Sequence, residues 1–272
     1  NQVTDDESSQ RYEDIETNNS TNLNEGKMKV HFIDVDQGDA TLIQTPSGKT
    51  ILIDAGERDQ GTRIINYIKD KGIDTIDIVI ATHPHADHIG GMAEVINSFN
   101  IGQIYMPKVT HTSKTFEDLL LTIQQKGLKI KTAKAGITLD IDPSIDAIMM
   151  APNSEKYESL NDYSAVLKVT YDNSSFLITG DAEETSEEEM LTKGLDLKTD
   201  VLRVGHHGSS SSTIQQFLDE IAPQYAIISV GADNSYGHPH DEIMARLNNT
   251  DVAIYRTDIH GHIIITTDGN SY

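Results

Sequence analysis

The segment His83-Pro84-His85-Ala86-Asp87-His88 constrains this chain more than any other, because it follows directly on the apolar run Ile76-Asp77-Ile78-Val79-Ile80-Ala81. The run reads as a buried strand over 76–81. Three imidazoles and one carboxylate therefore fall in one short loop at a strand end. Their ligand atoms can reach one point in space, or two neighbouring points. Imidazole with carboxylate suits zinc, with manganese or iron as alternatives. The competing reading is a polar loop that happens to be rich in histidine. Gly90-Gly91 immediately downstream and matching segments elsewhere argue against it.

Those segments are Leu52-Ile53-Asp54-Ala55-Gly56, Thr179-Gly180-Asp181 and Val204-Gly205-His206-His207-Gly208-Ser209. With the histidine box, and in this order, they resemble the metallo-β-lactamase superfamily over about residues 28 to 267. The resemblance implies an α/β fold, a four-layer αββα sandwich with metals at one edge between the sheets. It implies that His83 and His85 face a first metal, that Asp87 and His88 face a second, and that Asp181 bridges them. A late histidine would complete the second site. The family pattern of His followed by Gly favours His207, leaving His206 to touch substrate or protonate a leaving group; a capping or core role is the structural alternative for the pair. Asp54 is expected behind the ligands, where a carboxylate can accept a hydrogen bond from a ligand imidazole and fix its tautomer. The alternative is a turn aspartate at the strand end.

One departure from the family pattern matters. Many members carry a further histidine midway along the chain, and residues 140 to 180 contain none. Asn161-Asp162-Tyr163-Ser164 stands there instead. Asn-x-x-Ser before a strand resembles one branch, the domain at the end of ComEC-type DNA-uptake proteins and its stand-alone relatives. Asp34-Val35-Asp36-Gln37-Gly38-Asp39-Ala40 fits the same branch, with Asp36 where the branch has glycine, and so does Asn234-Ser235-Tyr236-Gly237-His238-Pro239. The first site is then left with His83, His85 and the bridge, open to substrate, and manganese becomes a real alternative to zinc. Asn161 and Ser164 either hydrogen-bond substrate or shape a turn and a helix cap. His238 either enters the pocket and contacts a substrate oxyanion or lies on the surface with His240, beside a helix begun by Pro239. His31, His111, His260 and His262 are expected on the surface or in strands.

A hydrolase must make a nucleophile from water at neutral pH, and a bound metal does so by lowering the pKa of its water to about 7. The resemblance therefore implies a hydrolase with two zinc ions per chain, in which Asp87, His206 and His238 take part in catalysis. Its expected substrate is a phosphodiester, in DNA or another nucleic acid or in a cell-wall polymer. A β-lactam or lactone hydrolase is the alternative within enzymes, and the missing midway histidine argues against it. A non-catalytic metal-binding surface domain is the alternative outside enzymes, and the complete set of His83, His85, Asp87, His88 and Asp181 argues against that.

Composition sets the remaining bounds. Residues 1–27 hold only Val3, Tyr12, Ile15 and Leu23 as larger apolar or aromatic side chains, too few to bury a core. They are expected to form a disordered polar tail, with 28–272 as one hydrolase domain. A tether to a removed signal or lipid anchor would explain such a tail, and the chain is expected outside a bacterial cell or on its surface, with the cytoplasm as the alternative. The sequence has no cysteine, which excludes disulfides, cysteine catalysis and a cysteine ligand. The net charge of −22 opposes long-range attraction of nucleic acid or anionic membrane, without preventing a local site from binding one phosphate. No apolar run has membrane-spanning length. Strands are expected near 28–35, 40–44, 50–54, 104–106, 146–150, 164–171, 175–179, 200–204, 225–230, 252–255 and 262–267. Helices are expected near 62–71, 90–99, 115–125, 182–192, 212–221 and 240–247.

Overall fold

The computed structural model describes residues 26–272, so nearly all of the expected tail lies outside the described residues. The first half of the domain runs β1 (Met28–Phe32), β2 (Thr41–Gln44), β3 (Thr50–Ile53), α1 (Gly61–Asp70), β4 (Thr75–Ile80), α2 (Ala86–Ile89), α3 (Met92–Ser98), β5 (Asn100–Met106), α4 (Lys114–Gln125) and β6 (Ile130–Thr132). The second half runs β7 (Asp146–Ala151), β8 (Val166–Tyr171), β9 (Ser174–Ile178), α5 (Glu184–Thr192), β10 (Val201–Arg203), α6 (Gln215–Ile221), β11 (Tyr225–Ile228), α7 (Asp241–Asn248), β12 (Ala253–Arg256), α8 (Thr257–His260) and β13 (Ile263–Thr267).

The strands form two mixed sheets, in the orders β13-β1-β2-β3-β4-β5-β6 and β12-β11-β10-β9-β8-β7. Successive side chains of a strand point to opposite faces, and here both faces of each sheet are buried. In the first sheet Ile43, Ile51, Ile53, Ile78 and Ile80 point toward the second sheet. Their neighbours Leu42, Leu52 and Val79 point outward against α1, α3 and α4. In the second sheet Phe176, Ile178, Val201 and Ile227 join the inter-sheet core, and Leu177, Leu202, Ala226 and Ile228 pack outward with Phe217, Leu218, Ile243 and Leu247 of α6 and α7. The architecture is thus the expected four-layer αββα sandwich. Burial on two faces explains why its central strands read as nearly continuous apolar runs.

Strands β3, β4 and β5 are parallel, as are β9, β10 and β11. The loops that leave their C-terminal ends meet at one end of the sandwich, where sheets of this kind place their ligands. The last strand, β13, returns to pair antiparallel with β1 and closes the first sheet. Among the described residues no helix is long and apolar enough to cross a membrane.

Three elements differ from the sequence reading. The expected helix 90–99 is preceded by the single-turn helix α2, which carries Asp87 and His88. Edge strand β6 has three exposed residues and no apolar pattern to announce it. Helix α8 is a single turn between two strands, too short for a 3.6-residue period to show.

Candidate metal centre

Each residue of the centre leaves a strand end. β3 ends at Ile53, and Asp54 follows with φ of +58°. Its fully buried carboxylate accepts hydrogen bonds from Thr82 N at 2.8 Å and Thr82 Oγ1 at 2.6 Å. The same carboxylate lies 2.7 Å from His88 Nδ1. An acceptor there leaves the proton of the neutral ring on Nδ1 and turns Nε2 toward the cluster. His83 is held likewise, with Nδ1 3.1 Å from Thr82 Oγ1 and 3.4 Å from Ser164 Oγ. Ser164 also accepts from Asp181 N at 3.0 Å. Its side chain is fully buried and holds both His83 and Asp181.

The loop after β10 gives the paired histidines opposite roles. Both have left-handed backbone, with φ of +48° at His206 and +54° at His207. His207 turns inward, is 1% exposed, and donates from Nδ1 to Ser229 O at 2.8 Å. His206 turns toward the cleft, where Nδ1 lies 3.2 Å from Glu183 Oε1 and 3.1 Å from Ser211 Oγ. Asn161 Nδ2 lies 3.5 Å from both nitrogens of the His206 ring.

The free ring nitrogens and the carboxylates converge. Asp181 Oδ2 is 3.0 Å from His88 Nε2, 3.5 Å from His207 Nε2, and 3.8 Å from both His83 Nε2 and His206 Nε2. Asp87 Oδ2 is 3.3 Å from His207 Nε2 and 3.8 Å from His88 Nε2. On the other side His83 Nε2 is 2.9 Å from His85 Nδ1. Asp87, His88, Asp181 and His207 each offer one ligand atom within 4.8 Å of the others.

This donor set fits a cation. Among the described residues His88 Nε2 and His207 Nε2 are buried and make no hydrogen bond of acceptable geometry, although Asp181 Oδ2 lies 3.0 and 3.5 Å from them. Burial opposes charge on Asp87 and Asp181, yet His88 and His207 outweigh it and hold both carboxyls below the usual carboxylate range. Burial equally opposes protonation of His88, but Asp181, Asp87 and Asp54 raise it well above the usual histidine range. His207 is raised to about 9 against its burial, chiefly by Asp181. In contrast, burial and the neighbouring His88 lower His83. The centre therefore demands positive charge beside Asp87 and Asp181, which protons or a metal ion can supply.

A cavity of about 330 Å³ opens over the cluster, lined by His85, Asp87, Asp181, His206, His207 and His238, with Gln37, Glu57 and Tyr236 at its rim. His238 thus enters the pocket, its ring 5.5 Å from that of His206. His240 does not, and accepts from Ser210 N at the start of α7. A larger groove of about 550 Å³ between α6 and β12 lies away from the histidines.

Every candidate residue read from the sequence comes to this end of the sandwich. Several neighbours were missed. Arg203 is fully buried on the inter-sheet face of β10, 2.8 Å from Asp39 Oδ2 and 3.3 Å from His207 Nδ1, and it donates to Gly180 O. A lone cation inside Val201-Leu202-Arg203-Val204 was the available signal. Glu183 had none beyond its place after Asp181. His111, expected on the surface or in a strand, is half-buried in a loop with its ring 6.3 Å from that of His85. His31 takes the strand placement of its two expected ones, in β1, and is buried there.

Two facing sheets flanked by helices, with imidazoles and carboxylates gathered at the strand ends, define a class of α/β proteins built around a metal centre. The family model described as the metallo-beta-lactamase superfamily matches residues 33–232, and the chain belongs to that superfamily. ComE operon protein 3 of Bacillus subtilis (strain 168) is 31% identical over 252 residues, which is 86% of this chain and 32% of that protein. The chain thus spans about a third of that relative's length. Ribonuclease Z of Clostridium perfringens is 24% identical over 124 residues, 44% of this chain and 38% of the enzyme. Among solved structures, the metallo-beta-lactamase fold protein YhfI of Bacillus subtilis superposes with a TM-score of 0.59 at 13% identity, covering 89% of this chain and 99% of that one.

Proposed function

We propose that this chain is a metal-dependent hydrolase that cleaves phosphodiesters with activated water, in a nucleic acid or a cell-surface polymer. The observation that carries the reading is the surround of Asp181 Oδ2, which has four imidazole nitrogens within 3.8 Å. In this reading His83 and His85 would hold one ion and Asp87, His88 and His207 a second, with Asp181 within reach of either. Zinc is the expected metal and manganese the alternative. When bound, the metal would supply Lewis acidity and a water whose pKa falls to about 7.

The chain's own residues do the rest. Asp54 and Thr82 orient His88 and His83, and Ser164 fixes the backbone of Asp181. His206 stands at the mouth with Glu183 behind its Nδ1, placed to pass a proton to a leaving oxygen. His238 faces it across the cavity, placed to hydrogen-bond a non-bridging oxygen. Residues 140–180 contain no histidine, and Ser164 is the residue of that stretch that touches His83, so in this reading the His83–His85 side is open to a substrate oxygen. The partial likeness to a ribonuclease supports phosphodiester chemistry over opening of a lactam ring.

Protein loaded with zinc or manganese should turn over bis-p-nitrophenyl phosphate and leave nitrocefin almost untouched. His206→Ala and His238→Ala should each lower that turnover, His206→Ala by about 100-fold if it is the general acid, with bound metal unchanged. Faster hydrolysis of nitrocefin than of any phosphodiester, or a protein that takes up no metal, would overturn the reading.

A further inference from the structure

The chain is strongly acidic as a whole, yet residues 107–137 hold six lysines against Glu117 and Asp118. Two of these, Lys108 and Lys134, are exposed and face a second cavity of about 260 Å³ at the same end of the sandwich as the metal centre. Neither forms a hydrogen bond or ion pair with any described residue. Glu155 is the one acid in the lining. Lys108 lies three residues before His111, whose ring stands beside that of His85. On the opposite wall Tyr163 immediately precedes Ser164, which holds His83. The backbone ties the walls together, with Ala133 N donating to Met106 O and Ala135 N to Pro152 O. Tyr163 is half-buried and braced edge-on by Tyr157, with ring centroids 5.1 Å apart.

Behind His206, at Glu183 and Ser211, lies a cleft lined by Glu158, Asp162, Glu183, Glu184 and Glu189 with Lys156 to offset them. It borders the lysine groove where Ser154 and Tyr157 donate to Glu189. A polyanion at the centre is repelled by that cleft and met in the groove by two ammonium groups that have no partner among the described residues. A basic groove with an aromatic wall is the combination that tracks a single nucleic-acid strand, the lysines on phosphates and the ring against an unstacked base.

We propose that Lys108, Lys134 and Tyr163 form a subsite for a single nucleic-acid strand, holding phosphates beyond the one at the metal centre. The inference rests on the phosphodiesterase reading for its orientation, and it is tested by binding, which does not require turnover. A fluorescent oligothymidylate of about 12 nucleotides is titrated with the full chain at low salt and followed by anisotropy. The double variant Lys108→Ala/Lys134→Ala should bind about tenfold more weakly. Its slope of log affinity against log salt should fall by about 1.4, the share of two lysine–phosphate contacts on a single strand. Turnover of bis-p-nitrophenyl phosphate should stay at the wild-type level. Lys193→Ala/Lys198→Ala removes the same charge elsewhere and should leave binding nearly unchanged. The subsite is overturned if the first variant binds as well as wild type, if both double variants lose affinity equally, if duplex is preferred to single strand, or if the wild type cleaves small phosphodiesters but binds no strand. Lysine-dependent binding without hydrolysis of any phosphodiester would support the subsite and overturn the enzymatic reading.

Discussion

Arg203 and His31 show how much a single buried polar residue can carry in this chain. Arg203 brings a guanidinium into the inter-sheet core, and Asp39, 2.8 Å away, is the partner that makes it tolerable. Removing one member of such a pair strands the other charge, which typically costs about 3–5 kcal/mol. The pair also stands behind His207 and so stiffens one wall of the centre. His31, far from that centre, is buried as a neutral ring. Tyr67 Oη lies 2.8 Å from its Nδ1, and Gln44 Oε1 lies 3.0 Å from its Nε2. These distances suit a hydroxyl donating to Nδ1 and an Nε2–H donating to the amide oxygen. Burial lowers the pKa of His31 to about 4 from its ordinary 6.5. Below pH 6.5 the unfolded chain takes up this proton before the folded one does. The stability that His31 contributes is therefore complete above pH 6.5 and is lost as pH falls toward 4, by about 3 kcal/mol in all. His31→Gln should be less stable at pH 7.5, yet lose less between pH 6.5 and 4.5 than the wild type. Urea unfolding at several pH values measures this, and parallel pH profiles would refute it.

Two short loops, distant in sequence, form one rigid element beneath the metal centre. Ala55 N donates to His88 O at 2.7 Å, and Gly91 N donates to Gly56 O at 3.1 Å. Backbone lies on backbone here, which explains why glycines follow the histidine box. A Cβ on Gly91 would sit 2.4 Å from Ala55 O, and one on Gly90 would sit 2.3 Å from Arg58 N. Gly91→Ala must push the Asp54 loop away from α2, at a cost of about 1–3 kcal/mol. Because Asp54 orients His88, bound metal should fall with stability, whereas an overpacked site far from the centre would lower stability alone. Metal analysis beside thermal unfolding separates the two. A second such joint links α5 to α6, where the buried Glu187 accepts from Thr213 N at 2.6 Å and Ile214 N at 2.8 Å. Burial raises its pKa to about 8.

For the molecule as a whole, the centre is a clasp between layers. Asp54 and the histidine box come from the first sheet, and Asp181 and His207 from the second. An ion held by both binds the folded chain and not the unfolded one. At a free concentration a hundredfold above its dissociation constant it should add about 2.7 kcal/mol. For a chain of this size that corresponds to about 5–10 °C in melting temperature. Adding zinc or manganese to chelator-treated protein should produce that rise, and Asp181→Ala should abolish it. A full rise in the Asp181 variant would place the ion elsewhere. The same scale separates the charges. The −22 of the chain is not spread evenly, since Lys108 and Lys134 line one cleft near the site and five carboxylates line its neighbour.

Legible in the residues alone were the strand run ending at Ala81, the box His83-Pro84-His85-Ala86-Asp87-His88, and the order of the aspartate and histidine motifs that follow. Those features are local, because periodicity and ligand spacing act over a few residues. The apolar runs marked the central strands because both faces of each sheet are covered. The same local logic failed at β6 and α8, which are too short or too exposed to leave a pattern. Which of the two adjacent histidines turns inward was fixed by packing, since that depends on two left-handed residues and on Ser229 O. Packing also joined Arg203 to Asp39 across 164 positions of chain and set Ser164 behind His83. It also gathered Lys108 and Lys134 on one groove. These are contacts between residues far apart in the chain. They are fixed by how two sheets pack, and no short stretch of sequence carries that information.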